Sequence, residues 1–311
     1  ENLVGAHVAK DDANLLRATF NGQPIRHGNG VMVEQILHAR DVDIASGNIT
    51  FDGTVHVDGE VLPGMKVHAT GDIIVTGLVD GAELDAGGDI HISGGVIAQA
   101  RVRAGGAVTA RFVESSHIYA GTMIAIDDAS LQGDLQAINQ IVVGAKSPER
   151  GRLVGGSARA MLLIRAPTVG AAKGGVTSIQ LGVNPVLEAT YKELLHRIEA
   201  QKAEEVNLEK LIKHLSTHGD KGGMLARAKA SWQQSLQAWA QLMPEKESLE
   251  SQLAQIGGAK LEVGAGVAGA VDLHFGKKTL TVRKSYDAGV FSLNDEKIVF
   301  TDPSGFVTTA G

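Results

Sequence analysis

Six short apolar segments recur through the first half of the chain at almost constant spacing. They begin at Val55, Ile73, Ile90, Val108, Ile124 and Ile141, so the steps are 18, 17, 18, 16 and 17 residues. A period of this size predicts a solenoid, in which each coil cannot bury its apolar face alone and must stack on its neighbours.

Within one period the pattern is that of strands. From Gly71 to Gly87, Ile73 and Val75 alternate with Ile74 and Thr76, Gly77 bends the chain, Val79 points inward and Asp80-Gly81 turns. Aligning the coils gives four inward columns. Val55, Ile73, Ile90, Val108, Ile124 and Ile141 form the first, and Val57, Val75, Ile92, Ala110, Ile126 and Val143 the second. Val61, Val79 and Val96 form the third, and Val67, Leu84, Val102, Ile118 and Leu135 the fourth. The interior so defined is narrow, which fits an aromatic content of 4 % and a glycine count of 39. Glycine should serve positive φ at corners and close approach between coils. The first corner glycine (Gly59, Gly77, Gly94) gives way at Arg111 and Asp127, where the coils are expected to bulge or turn differently. Two outward columns follow from the same alignment. One is His68, Asp85, Arg103, Tyr119 and Gln136; the other is His56, Ile74, His91, Thr109, Ala125 and Val142. Neither repeats one chemistry coil after coil. Residues 151–183 predict two further, less regular coils.

At Asn184-Pro185 the period changes to that of a helix with a good N-cap and a first-turn proline. Leu187, Tyr191, Leu194, Ile198, Gln201, Glu205, Leu208, Ile212 and Leu215 step by four and three, as in a coiled-coil seam. A polar Gly-rich break follows, then a second seam with Leu225, Ala228, Trp232, Ser235, Trp239, Leu242, Lys246, Leu249, Leu253 and Ile256. An antiparallel hairpin is expected, kinked at Pro244. Strand patterns return at Leu261-Glu262-Val263, Val271–Phe275 and Thr279–Val282. The predicted organisation is a lead-in over 1–47, a parallel β-helix over 48–183, a helical hairpin over 184–258 and a C-terminal β segment over 259–311 that completes or covers the β-helix.

A net charge of −6 gives no basic face for nucleic acid, and the absence of cysteine excludes disulfides and thiolate metal sites. No apolar run of membrane-spanning length is present in this sequence, and neither a signal peptide nor membrane insertion is expected of it. The chain begins with Glu1 rather than Met, and upstream sequence is expected.

The run Asp41-Val42-Asp43-Ile44-Ala45-Ser46-Gly47-Asn48-Ile49-Thr50-Phe51-Asp52-Gly53 resembles the bacterial flagellar assembly protein A (FapA) family. So do Gly64–Ile73 and Leu153-Val154-Gly155-Gly156, and the order of parts agrees over about residues 14–300. The resemblance implies a right-handed parallel β-helix and a cytoplasmic, non-enzymatic scaffold, placed at the cell pole. It implies work in polar flagellar assembly or placement. The implied partners are polar flagellar factors and the glucose-specific enzyme IIA of the sugar phosphotransferase system.

Active-site constellations fail on spacing. Gly276-Lys277-Lys278-Thr279 lacks the upstream glycine of a phosphate loop, because position 271 is Val. His214 and His218 stand four apart with no carboxylate between them, and the adjacent Asp127 and Asp128 should point to opposite faces. No catalytic residue, cofactor or metal ligand is therefore assigned. The candidate partner contacts are His68, Asp85, Arg103 and Arg111 on the solenoid and Trp232 and Trp239 on the hairpin, which would also serve a homo-oligomer. Two other readings compete. A polysaccharide-active β-helix would use Asp58, Glu83 and Asp85, and a bactofilin-like polymer would stack β-helix ends.

Overall fold

A computed structural model describes residues 8–12, 15–19, 22–27, 30–182, 185–219 and 223–310. It divides into two compact units, Glu1–Val183 with Ala259–Gly311 and Asn184–Gly258.

The first unit is a parallel β-solenoid of about eight turns. Each turn contributes strands to a fifteen-stranded sheet and to a ten-stranded sheet. The first inward column pairs in register from Leu37 through Val55, Ile73, Ile90, Val108, Ile124, Ile141 and Ile164 to Leu261. Of these, Val55 to Leu261 are buried. The ladder thus already includes Ile36–Ala39, upstream of residue 48. The third column runs much further than Val96: Val113, Ser130, Leu153, Val169 and Val267 continue it. Strands 152–154 and 157–160 therefore complete the coil begun at Ile141, after a loop over 144–151, and 163–181 forms one further coil rather than the second of two.

The coil alignment bears out the irregularity expected at Arg111 and gives its form. Ile92 to Val96 spans four positions, whereas Ala110 to Val113 spans three, so the register shifts between Ile92 and Gly95. The shorter coil has simply lost the corner residue. Phe112 fills the space, lying where any β-carbon on Gly95 would stand.

The corner glycines have one of the two expected roles. None of Gly59, Gly71, Gly77, Gly88, Gly94 and Gly106 has a positive φ. They are needed for close approach. The Asp72 carboxylate accepts the Asp89 N–H at 2.8 Å and lies where a β-carbon on Gly88 would stand. Asp89 does the same one coil later, accepting the Ala107 N–H at 2.7 Å across Gly106. The recurrent Gly-Asp pair is thus a backbone clamp between coils. Left-handed φ is used instead at the corner that follows the third column, at Gly81, Ala98, Gln99, Ser115 and Gln132.

The C-terminal segment both completes and extends the solenoid. Lys260–Val267 and Val271–Phe275 pair parallel with the preceding turn. After them the pairing becomes antiparallel: Lys278–Val282 joins the ten-stranded sheet, and Gly289–Asn294, Lys297–Thr301 and Val307–Thr309 extend the other. Here the aliphatic core ends in aromatics. Tyr286, Phe291 and Phe300 have ring centroids 4.8 to 5.0 Å apart, Tyr286 and Phe291 edge to face and Phe300 tilted against both.

The second unit is a hairpin of α1 (Pro185–His218) and α2 (Met224–Gly257). α2 runs through Pro244 as one helix, although that residue has no N–H to give the preceding turn. The polar seam members answer one another. Gln201 Nε2 donates to Ser235 Oγ at 2.7 Å, Trp239 Nε1 donates to Glu205 at 3.0 Å, and Tyr191 Oη donates to Glu250 at 2.8 Å. Among the described residues no helix is long and apolar enough to cross a membrane.

Candidate functional site

The outer face of the ten-stranded sheet carries the densest polar constellation that the sequence columns predicted. Strand alternation buries Val67, Leu84, Val102, Ile118 and Leu135, so the residues on either side of each point outward. This makes two outward columns on one face. His68, Asp85, Arg103, Tyr119, Gln136 and Arg159 form one, in register. Lys66, Glu83, Arg101, His117, Asp134 and Ser157 form the other. Sequence reasoning named the first column and missed most of the second. The signal was present, because a residue two positions earlier on a strand shares its face.

Charge on this face is arranged rung by rung. Lys66 Nζ lies 2.7 Å from Glu83, and His68 Nδ1 lies 3.2 Å from Asp85. The hydrogen bond from Lys66, with its positive charge, holds Glu83 below its ordinary carboxylate value. On the next rung Arg101 and Arg103 stand side by side, and the Arg103 guanidinium sits 5.6 Å from the Tyr119 ring centroid. His117 Nδ1 lies 3.3 Å from Asp134, whose other oxygen accepts the Ser157 hydroxyl. Arg159 donates to Gln180 at 2.7 Å and to Gln136 at 3.4 Å. From Glu83 and Asp85 to Ser157 and Arg159 the face forms a shallow depression of about 350 Å³, bounded by Arg101, Arg103, His117, Tyr119, Asp134 and Arg159.

The geometry bears on catalysis. Ser157, Asp134 and His117 are the residue types of a nucleophilic triad in the wrong order. The carboxylate stands between the other two, so the imidazole does not reach the serine hydroxyl as a base must. Glu83 and Asp85 are each engaged by a cation or an imidazole, and Asp58 follows a strand of the other sheet. The three carboxylates named for glycan chemistry are therefore not assembled at one place.

The other predicted contacts lie elsewhere. Arg111 is on the fifteen-stranded sheet, where its Nε meets Asp128 at 3.1 Å. A hydrogen bond from Ser147 and the Arg111 pair hold Asp128 below its ordinary value, while Lys146 neutralises Asp127 at 2.8 Å. Trp232 and Trp239 are both half-buried within the hairpin. Trp239 is committed to Glu205, whereas the buried Trp232 Nε1 has no hydrogen-bond partner among the described residues. The His218 side chain lies outside the described residues.

A family profile, the Flagellar Assembly Protein A beta solenoid domain, matches residues 35–298. The chain belongs to the FapA family. The match begins at the first rung of the solenoid and spans the inserted hairpin, so every element bearing the outer face falls within the FapA domain. Flagellar assembly is accordingly the process in which this FapA protein takes part. No curated protein and no solved structure matched the chain.

Proposed function

We propose that the protein is a non-catalytic scaffold of flagellar assembly that docks a partner protein on the outer face of the ten-stranded sheet. The observation that carries this reading is the rung of Arg101 and Arg103 backed by Tyr119. The two arginines rise from one face of one strand, two residues or about 6.6 Å apart along it, on a surface that cannot deform without breaking its register. Such a pair suits carboxylates or phosphoryl groups on a protein surface, which it meets by bidentate hydrogen bonding. The neighbouring His68–Asp85 pair adds polar contacts at the rim. Placement at the cell pole, and the glucose-specific enzyme IIA as the partner, are the specific forms of this proposal. Trp232 and Trp239 are proposed as a second contact on the hairpin, for a partner or a second copy.

The test is capture of that enzyme IIA from lysate by the full chain and by Arg101→Glu/Arg103→Glu. We expect capture by the former and at least a tenfold loss with the latter at unchanged melting temperature. Undiminished capture would remove the docking face from consideration. Unchanged flagellar number and position after gene deletion would remove the placement role.

A further inference from the structure

The outward column of the other sheet starts with two histidines. His38 and His56 occupy the same position in successive coils, one period of 18 residues apart, and pair directly in parallel register. Their imidazole centroids are 5.1 Å apart in an edge-to-face arrangement. Asp58, two residues beyond His56, brings a carboxylate oxygen to 3.8 Å from His56 Nε2. One donor atom from each of the three lies within 4.8 Å of the others. The cluster stands apart from the docking face. It also ends abruptly: the next residue in the column is Ile74, and His91 beyond it is hydrogen-bonded to Thr109.

We propose that His38, His56 and Asp58 bind a transition-metal dication of the zinc type. Two neutral imidazoles and one carboxylate are a donor set suited to such ions, which prefer nitrogen over the all-oxygen shells of calcium and magnesium. With bonds of about 2.1 Å, the edge of a coordination tetrahedron is about 3.4 Å. From a spread of up to 4.8 Å the donors therefore need to close by about 1.4 Å at most, and His38 and Asp58 are exposed side chains able to do so. Three protein ligands leave a fourth position for water. The spacing of one full period explains why no short ligand motif is visible in the sequence: the fold, not the local chain, makes the site.

The position gives the metal a structural task. Ile36–Ala39 is an end strand of the fifteen-stranded sheet and is paired only with Thr54–Val57. Among the described residues its other edge has no neighbouring strand, only the Gln23 side chain accepting the His38 N–H at 2.9 Å, so it is a rung open to fraying. An ion held by His38 on this strand and by His56 on the next staples the end of the solenoid.

The experiment is a zinc titration of the chelator-treated full chain by calorimetry, together with hydrogen exchange at residues 36–40. One equivalent should bind, and His38→Ala, His56→Ala and Asp58→Asn should each weaken binding at least about tenfold, since even outer-shell partners of a metal site cost that much. His91→Ala should bind as the natural chain does. Zinc should slow exchange at 36–40 in the natural chain but not in His56→Ala. All four substitutions are on the outer surface, and circular dichroism checks that each variant is folded. Saturable binding absent below millimolar zinc, or undiminished in His38→Ala and His56→Ala, would overturn the site. Binding without slowed exchange would overturn the staple.

Discussion

The third inward column contains one anomaly with a definite energetic sign. Ser130 is fully buried between Val113 and Leu153, and its Oγ has no hydrogen-bond partner among the described residues. Every other member of the column named above is Val or Leu. A buried hydroxyl without a partner costs about 1–3 kcal/mol of desolvation. Ser130→Ala keeps the β-carbon and removes only that oxygen. Deleting one atom forfeits several dispersion pairs at about 0.1–0.2 kcal/mol each. The balance is a stabilisation of about 1 kcal/mol. Unfolding entropy is about 2.1 cal/mol/K per residue, so for a unit of roughly 240 residues this is a rise of about 2 °C in melting temperature. Scanning calorimetry with urea midpoints measures it. The companion variant is Val113→Ser, one rung earlier, which places a second hydroxyl in the column and should cost about 3 kcal/mol through lost burial and desolvation. A Ser130→Ala protein no more stable than the natural chain, alongside a destabilised Val113→Ser, would refute the claim that the hydroxyl is an uncompensated burial.

Two further substitutions probe the devices between coils. Gly105→Ala drives a methyl group into the Gly87 carbonyl, and Gly106→Ala drives one into the Asp89 carboxylate. The first meets backbone and should cost about 3 kcal/mol or more. The second meets a side chain that can swing away at the loss of its bond to Ala107, costing nearer ~1–2 kcal/mol; equal melting temperatures for the two would contradict this ordering. Glu262 gives a pH signature. Burial by itself raises its pKa, but hydrogen bonds and charge from Lys260 and Arg165 prevail and hold it below its ordinary 4.5. Its contribution to stability is therefore complete above about pH 4.5 and fades as pH falls through the lower folded value. Glu262→Gln should melt below the natural chain at pH 7, with the gap narrowing under about pH 4.5, and a constant gap down to about pH 3 would count against the pairing.

The sequence by itself determined the periodic architecture. Alternation at a step near 17 residues named the four inward columns correctly, because each strand buries every second side chain and a solenoid places equivalent residues one above another. It also determined the helical hairpin, whose seam spacing needs no tertiary partner to be read. Other features depended on which coil lies next to which. The single residue missing before Val113, the run of the third column through Ser130 to Leu153, and the carboxylate clamps from Asp72 and Asp89 are relations between residues far apart in the chain. The same holds for the sites. The Arg103 column was legible, yet its partnership with Arg101, His117 and Asp134 needed the sheet to set both columns on one face. His38 and His56 carry no motif at all until one turn of the solenoid brings them 5.1 Å apart. Periodicity is a local property that hydrophobic burial writes into every coil. Chemistry between coils is written only in the register, which packing decides.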